Sequence, residues 1–551
     1  MRPTCRAFAA WTGCLLMISS SWSFAIGGLD PGAPGGTSGQ ATAPGPTNPY
    51  GLPSTPPPAA KPPPGPQDLP LPSGNAPQTV TTDNSLFGSL PDLGGPAYAN
   101  LSRDDEDQIG QMIVKEIRDA HLLLDDPEVD DYLQNLGMSL ASQAHDPDQQ
   151  FHYRCMNDSE INSFATFGGN VFIFTGLILL TQSEGDLAAV MAHETGHVVQ
   201  RHMARELLDE THASIASMAG MLAAALIGAA AGGANNGEAI EGAIAVAQAA
   251  ALQHSINFTR GEEIEADYVG IHLLAAAGFD PYEMAGFFET MDTELGAEEG
   301  EIPAILQDHP VFPERIAAAR ARAAQFPRLT SYRGSDMYDF IKERVRVLAE
   351  PPEARVAAYY ANLRTRRELT PAERYGEALV QIQNGAAAAA VPTLRELERQ
   401  YPQLVLLYTA LGQALAAAGQ QSAALAQFRL AEELFPRNVP LTVHYAETLM
   451  KFGSPADAHA VLLDLFNNVD PTPPQIQLTA MAASQAGDTG DAYYYMGEYN
   501  LANGQLALAN QELELALGVP NLSEVQRARF RARLAQVRDW MREQQLARRG
   551  G

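Results

Sequence analysis

The sequence is poor in positive charge. Its 551 residues include 36 Lys and Arg against 65 Asp and Glu, which gives a net charge of −29 at pH 7. An acidic chain is repelled by phosphate backbones and by anionic lipid headgroups. The basic stretch between Arg527 and Arg549 is short and has the pattern of a solvated terminal helix. We therefore expect no nucleic-acid partner.

Long apolar runs are also scarce. The N-terminal run, from Ala7 to about Ile18, is short for a membrane span, which needs about 20 residues. Arg2 and Arg6 precede this run and give a positively charged start. Ser23-Phe24-Ala25 follows it, with small residues at the positions that a signal peptidase reads. These features predict a signal peptide over residues 1–25 and export of the mature chain.

Cysteine is nearly absent. Cys5 and Cys14 belong to the predicted signal, so Cys155 alone remains and no internal disulfide can form in the mature chain. Lipidation at Cys14 is disfavoured, because the apolar run continues beyond it. Cys155 alternates with Phe151 and Tyr153, a pattern typical of a buried structural thiol on a strand.

Composition divides the rest of the chain into three parts. Residues 26–88 are rich in Pro, Gly, Ser and Ala and cannot bury enough apolar surface to fold, which predicts a disordered linker. A globular domain is expected over residues 89–345. Beyond it, residues 355–551 change in character and predict a second, helical domain.

The first domain combines helices with a few strands. Residues 151–155 alternate in polarity, and residues 171–174 form a β-prone run after two glycines. A long helix is then expected to begin at Ser183, because Asp186 three residues later completes a capping box. Its apolar pattern continues to about Glu206.

The second domain contains an internal repeat. Gly385, Gly419 and Gly453 are spaced by 34 residues, and two prolines share that spacing. A period of 34 with small residues at helix contacts is the tetratricopeptide pattern, whose helix pairs stack into a solenoid. The segment from Pro471 to Gly487 is expected to be an irregular insert in this array.

The strongest chemical signal is His193-Glu194-Thr195-Gly196-His197. Residues four apart share one face of a helix, so both imidazoles can hold one metal ion. Zinc favours imidazole nitrogen and carboxylate oxygen, and a catalytic zinc takes three protein ligands. Glu194 is then placed to accept a proton from an attacking water. No Gly-rich phosphate loop competes with this signal.

A third ligand is expected from Glu263-Ile264-Glu265-Ala266-Asp267. We assign Glu263 as the ligand and Asp267 as the acceptor of a hydrogen bond from a ligand histidine. Glu265 points to another face and is expected to be a solvated or structural carboxylate. His202 is not at ligand spacing and is expected either behind the ligands or on the surface.

Several further motifs carry a family resemblance. Together with Asp308-His309-Pro310 and Arg315, and with Asn162-Ser163-Phe164-Ala165 and Gly168-Gly169-Asn170-Val171, the metal motifs resemble HtpX-type and CAAX-prenyl-protease-type zinc metallopeptidases. The order of parts is most similar to that of the periplasmic BepA-type proteases. The resemblance implies an α+β fold. A mainly helical zincin-type (gluzincin-like) domain with a small β-sheet would precede an all-α tetratricopeptide solenoid.

The resemblance also implies roles for residues outside the metal motifs. His309 would lie near the metal and occupy its open position at rest, although a structural histidine before a proline is an alternative. Arg315 would support that loop or polarise the substrate carbonyl. An edge strand would bind an extended substrate through its main chain, and we assign this role to Gly169, Asn170, Val171 and Phe172.

Residues 213–237 are uncharged and rich in Ala and Gly. The stretch is long enough to cross a bilayer, but its many small residues make it weakly hydrophobic. A buried hairpin or a cover beside the active site is therefore favoured over a span, and membrane contact stays open. One candidate span is too few for an integral-membrane prenyl-protein protease.

Two hypotheses for function follow. The first is a periplasmic zinc endopeptidase, with one zinc per chain, that cleaves misfolded or unassembled envelope proteins. The resemblance implies that its repeats bind the outer-membrane β-barrel assembly complex. This binding would hold the enzyme at the periphery of the outer membrane. The second is a chaperone or adaptor for outer-membrane protein assembly whose metal site is latent.

The substitution Glu194→Gln separates the two hypotheses. It preserves the size of the side chain but removes the carboxylate that accepts a proton, so a protease loses its function and an adaptor keeps it. The measurement is whether the variant restores function in cells that lack the parent chain.

Overall fold

A computed structural model describes most of the chain after its first hundred residues. The described residues are 101–207, 260–295, 305, 309, 313–327, 334–349 and 353–550. The predicted signal peptide, the Pro-rich linker and the segment 213–237 lie outside them. Within the described residues, no helix is both long and apolar enough to cross a membrane.

Two capped helices open the described chain. Helix α1 (Arg103–Asp119) begins at Ser102, whose side chain forms a capping box with Asp105. Helix α2 (Pro127–Ala141) begins at Asp126, whose carboxylate accepts a hydrogen bond from the backbone of Val129. Each helix buries one apolar face, and α2 contributes to the main core beneath the sheet.

A three-stranded sheet follows, with strands β1 (His152–Met156), β2 (Ser163–Thr166) and β3 (Asn170–Phe174). The strand order is β1-β3-β2; β3 pairs parallel to β1 and antiparallel to β2. Strands are therefore found where the alternating and β-prone runs predict them.

The prediction that Gly169, Asn170, Val171 and Phe172 form a substrate-binding edge is wrong. Strand β3 is the central strand, so the main chain on both of its sides is already paired. Gly169, just before β3, is also hydrogen-bonded, because its carbonyl oxygen accepts a hydrogen bond from the backbone N–H of His152. The β-prone run reflects complete burial, which is typical of a central strand.

The helix predicted from Ser183 is present but shorter than expected. After α3 (Thr175–Leu180), helix α4 (Glu184–Val199) begins at Ser183 with the predicted capping box. It ends at Val199 because Arg201 adopts a left-handed conformation with φ of 51°. The chain then turns into the short helix α5 (His202–Leu207).

Arg201 is buried and holds this break in place. Its guanidinium donates to Oε1 of Glu106 at 2.8 Å and to the carbonyl oxygen of Leu101 at 2.7 Å. A positive φ is unfavourable for a residue with a Cβ atom, and these buried hydrogen bonds offset that cost. Apolar periodicity does not report such a tertiary contact, so the pattern alone extends the helix too far.

Three described helices complete the first domain: α6 (Arg260–Ala277), α7 (Glu283–Leu295) and α8 (Pro313–Ala323). Helices α4 and α6 cross at very short range. A Cβ atom added to Gly196 would lie 2.6 Å from the carbonyl oxygen of Ala266, so only glycine fits there. This contact brings the two predicted metal-binding motifs together.

The remaining helices pack mostly against their neighbours in the chain. Their bounds are α9 (Asp336–Ala349), α10 (Glu353–Arg366), α11 (Pro371–Gln383), α12 (Ala387–Gln400), α13 (Val405–Ala417), α14 (Gln421–Leu434), α15 (Val439–Lys451), α16 (Pro455–Phe466), α17 (Pro473–Ala486), α18 (Thr489–Ala502), α19 (Leu506–Gly518) and α20 (Glu524–Gly550). The predicted α+β peptidase fold followed by an all-α solenoid is confirmed.

The spaced glycines mark the turns between paired helices. Gly385, Gly419 and Gly453 all have φ between 74° and 84°, a conformation that glycine adopts without strain. Gly487 continues the 34-residue spacing with φ of 82°. The irregular insert predicted from Pro471 is therefore wrong, because helix α17 fills most of that segment and keeps the repeat in register.

Buried charges join the first domain to the repeats. Arg344 of α9 donates to both oxygens of Asp126, at 2.6 and 2.7 Å, and to Oε2 of Glu128 at 2.8 Å. His444 of α15 lies 3.2 Å from the same oxygen of Glu128. Burial disfavours the charged form of His444, but the carboxylate of Glu128 raises its pKa to about 10. The two parts of the molecule are therefore held by ion pairs shielded from water.

We predict that His444→Gln lowers the free energy of unfolding by about 2 kcal/mol near pH 6, because it removes a buried hydrogen bond to a charged group. Because the pKa of His444 is raised in the folded protein, its contribution to the free energy of unfolding is complete below 6.5, the pKa of histidine in the unfolded chain. This contribution is lost as the pH rises through about 10. Chemical unfolding of parent and variant should therefore show a difference that shrinks towards pH 10. A difference that stays constant between pH 6 and pH 10 would contradict this assignment.

Candidate metal centre and active site

Four side chains converge beneath the crossing of α4 and α6. They are His193 and His197 of α4, Glu263 of α6 and His309, and all four are buried. The sequence predicts three of them as ligands and places the fourth near the metal. The structure brings all four together, with ligand atoms within 4.8 Å of one another.

The spacing of these atoms suits a tetrahedral metal ion. Nε2 of His193 lies 3.0 Å from Nε2 of His197 and 3.3 Å from Nδ1 of His309. Oε1 of Glu263 lies 3.4 Å from Nε2 of His197 and 2.9 Å from Nδ1 of His309. Ligands at about 2.0–2.2 Å from a tetrahedral zinc are about 3.3 Å apart. The donor set therefore fits one such ion without rearrangement.

Residues 127–323, which include this cluster, match the family model for peptidase family M48. A β-barrel assembly-enhancing protease of Escherichia coli K12 is 30% identical over 457 residues, covering 82% of this chain and 91% of the relative. The corresponding Vibrio cholerae protein is 31% identical over 453 residues, covering 81% and 92%. The mitochondrial metalloendopeptidase OMA1 of Schizosaccharomyces pombe is 31% identical over 176 residues, which is 31% of this chain and 45% of OMA1.

The chain belongs to peptidase family M48. It is a metal-dependent protease, and the resemblance inferred from the motifs is confirmed. The alignments with the bacterial relatives extend well beyond the M48 match, so the likeness is not confined to the metal cluster.

In this M48 peptidase a carboxylate supports the ring of His193. Its Nδ1 lies 2.9 Å from Oδ1 of Asp267, on the side of the ring opposite the cluster. A ligand histidine held in this way keeps one tautomer and one orientation. This is the contact that the sequence predicts for Asp267.

Arg315 binds two of the acidic side chains of α6, Asp267 and Glu263. It donates from Nε and Nη2 to the two oxygens of Asp267, at 2.7 and 2.8 Å, and its Nη1 lies 2.6 Å from Oε2 of Glu263. Burial raises the pKa of Glu263, but His309 and Arg315 outweigh it and hold that pKa well below its ordinary value. Arg315 is thus bound to the acidic groups of the site, and support of the His309 loop and polarisation of the substrate carbonyl stay predictions.

Glu194 has one oxygen fixed and the other available. Oε1 accepts a hydrogen bond from Oγ of Ser163 at 2.7 Å. Oε2 is buried and has no hydrogen-bond partner among the described residues. A buried carboxylate oxygen without a partner is costly unless it serves a reacting group. The carboxylate is thus oriented as a general base requires.

The charge of the pocket favours a cation. Burial lowers the pKa of His197 well below its ordinary value, which keeps the ring neutral as a metal ligand must be. Burial also opposes charge on His309, yet the carboxylates of Glu263 and Glu194 raise its pKa to about 9. The same carboxylates that favour a positive imidazole favour a positive metal ion.

Two contacts of the site have only weak sequence signals. Ser163 belongs to a motif that carries the family resemblance, but no spacing rule links it to Glu194. His202 and Glu265 lie in contact behind His197. Glu265 is expected to be solvated or structural, and neither it nor His202 is at ligand spacing. His202 comes close to His197 because the left-handed Arg201 ends α4 and turns the chain into α5.

We predict that Ser163→Ala lowers kcat by about 10- to 100-fold, because Glu194 loses the group that orients it. Metal content should not change, since the hydroxyl of Ser163 bonds to Glu194 and to none of the four cluster side chains. Ser139→Ala is the matched control, because among the described residues its hydroxyl bonds only to the nearby carbonyl of Leu136. Steady-state peptide hydrolysis and metal analysis of both variants test this, and an unchanged kcat for Ser163→Ala would contradict the orienting role.

Proposed function

We propose that the chain is a zinc-dependent endopeptidase of the bacterial periplasm that acts on misfolded or unassembled envelope proteins. The observation that carries the proposal is the buried group of four ligand atoms beside the unpartnered oxygen of Glu194. His193, His197 and Glu263 would hold one zinc per chain. When bound, zinc supplies a Lewis acid that activates water and polarises a carbonyl.

The protein's own side chains would transfer the proton. Oε2 of Glu194 faces no other hydrogen-bond donor among the described residues and accepts the proton of the attacking water. Ser163 holds the opposite oxygen in place during this transfer. Glu194 then returns the proton to the leaving amine. Burial of the site excludes bulk water, which strengthens each of these interactions.

His309 would restrain the enzyme at rest. Its Nδ1 is as close to Glu263 and His193 as a fourth ligand would be, and its Nε2 lies 3.6 Å from Oε1 of Glu194. The ring therefore occupies space that water and a substrate carbonyl need. Cleavage requires the residue to move away, so activity depends on whatever displaces it.

Strand β2 would bind the substrate in place of the central strand β3. It lies at the end of the sheet and pairs only with β3 among the described residues. Its first residue, Ser163, contacts Glu194, so the strand passes the catalytic base. An extended peptide added antiparallel to β2 would place a main-chain carbonyl near the metal cluster.

The repeats would recruit partners or substrates. Tetratricopeptide solenoids bind proteins on their extended concave surfaces. Relatives of similar length are named as β-barrel assembly-enhancing proteases. These names and the predicted signal peptide support a place at the periphery of the outer membrane and the β-barrel assembly complex as partner. An adaptor with a latent site is the second candidate, and the position of His309 within the cluster favours it.

The test is proteolysis of casein by the mature chain, with zinc content measured in parallel. We expect one zinc per chain, no cleavage by Glu194→Gln and faster cleavage by His309→Ala. The rise follows because the substitution removes the ring that fills the cluster while leaving three ligands. Zinc binding without cleavage by any variant would favour the adaptor. Absence of zinc from the parent would refute the metal assignment.

A further inference from the structure

The ring of His197 makes a contact on the side that faces away from the metal cluster. Its Nε2 points into the cluster, 3.0 Å from Nε2 of His193 and 3.4 Å from Oε1 of Glu263. Its Nδ1 lies 2.9 Å from Nδ1 of His202. The two rings are nearly perpendicular, with centroids 4.8 Å apart, and both side chains are fully buried.

This contact continues to a carboxylate. Nε2 of His202 lies 3.2 Å from Oε2 of Glu265 on helix α6. Nη1 of Arg205 donates to the same oxygen at 2.9 Å. Glu265 is 28% exposed in its side chain, so the row of groups runs from the buried cluster towards the surface.

Only one arrangement of protons satisfies all of these contacts when His197 is a ligand. A metal takes the lone pair of Nε2, so the proton of His197 must be on Nδ1. That proton is donated to Nδ1 of His202, which leaves the proton of His202 on Nε2. The latter is donated to Glu265, an ionised acceptor that Arg205 also neutralises. Each donor therefore faces an acceptor along the whole row.

The backbone is shaped to make the contact. On a continuous helix, His202 would be five positions beyond His197 and about 140° away around the axis. The left-handed Arg201 breaks the helix between them, and its buried hydrogen bonds to Glu106 and Leu101 hold the break. The strained residue thus returns the ring of His202 beneath that of His197.

We propose that His202 and Glu265 are positioning residues for His197, which fix its tautomer and orientation and increase the affinity of the site for its metal. The inference rests on the proposed zinc site. Nδ1 of His193 contacts the carboxylate of Asp267 directly. Nδ1 of His197 instead contacts His202, which in turn contacts the carboxylate of Glu265. Helix α6 therefore supplies three carboxylates with different roles: Glu263 as ligand, and Asp267 and Glu265 as supports for the two histidines.

A purely structural role for His202 makes a different prediction. A buried imidazole needs hydrogen-bond partners whatever its function, and Glu265 satisfies one of its nitrogens. In that case substitutions would change the stability of the metal-free protein and leave its intrinsic affinity for zinc unaltered. Affinity and stability must therefore be measured separately.

The experiment measures zinc binding by the metal-free mature chain in competition with a chromophoric chelator. We expect His202→Phe and Glu265→Ala to weaken zinc binding by about 10- to 100-fold, the usual effect of losing such a support. His202→Gln should lose less than His202→Phe, because its amide oxygen still accepts from His197. Thermal unfolding of the metal-free forms reports on folding.

Two controls separate the row from its surroundings. His272→Gln alters a histidine of a different helix, α6, which bonds to the backbone oxygen of Tyr268 and has no hydrogen bond to the cluster among the described residues. This variant should bind zinc as the parent does. Arg205→Ala removes the same surface ion pair as Glu265→Ala but leaves the carboxylate, so its effect should be smaller. If His202→Phe fails to fold, the partly exposed Glu265 decides the outcome.

The possible results distinguish this inference from the function on which it rests. Parent-like zinc affinity in a folded Glu265→Ala would overturn the positioning role and leave the zinc site intact. An equal loss in Glu265→Ala and Arg205→Ala would overturn it as well, because the ion pair alone would then account for the effect. Absence of zinc binding by the parent would refute the zinc site itself.

Discussion

The close crossing of helices α4 and α6 is the constraint on which the site depends. Gly196 lies against the backbone of Ala266, and a Cβ atom added to Gly270 would lie 3.0 Å from the carbonyl oxygen of Ala192. Two glycines, one on each helix, thus remove the bulk that would separate the backbones. Because one turn of α4 faces one turn of α6 at this range, short side chains can meet across the contact. A larger residue at either glycine would push the two helices apart, and the ligands that they carry with them.

Burial of so much charge is tolerable because almost every charge is paired. Arg315 binds Asp267 with two hydrogen bonds and also contacts Glu263, so two of the site's buried carboxylates share one guanidinium. The remaining excess of negative charge is what favours a cation in the cluster. Removal of Arg315 would leave acidic groups buried without compensation, which typically costs about 3–5 kcal/mol. The pairing that prepares the site for metal therefore also contributes to the stability of the fold.

Helix α2 connects the repeats with the active-site helix. At its start, Glu128 is bound by Arg344 and His444, which belong to the helices that follow the peptidase core. One turn later, Tyr132 donates to Glu184 at the beginning of α4, at 2.9 Å. A displacement of the solenoid would therefore act on the same helix that packs against the metal-binding helix. The shared helix gives the two parts of the chain a direct mechanical connection.

Features that depend on local spacing can be predicted from the amino-acid sequence. Residues four apart on a helix identify His193 and His197, and the capping pair of Ser183 and Asp186 locates the start of their helix. The 34-residue glycine spacing identifies the repeats, because each glycine occupies the same left-handed turn. These features can be read from the sequence because helix geometry fixes which residues are neighbours.

Contacts between distant segments could not be predicted in this way, because they depend on how the whole chain folds. Strand order made β3 central, since a β-prone run has the same composition whichever strands flank it. The left-handed Arg201 ended α4 early, because its cost is met by Glu106, 95 residues away in the chain. The same break brought His202 and Glu265 behind His197. Spacing rules assume a continuous helix, so they cannot foresee a side chain whose position depends on where that helix is forced to stop.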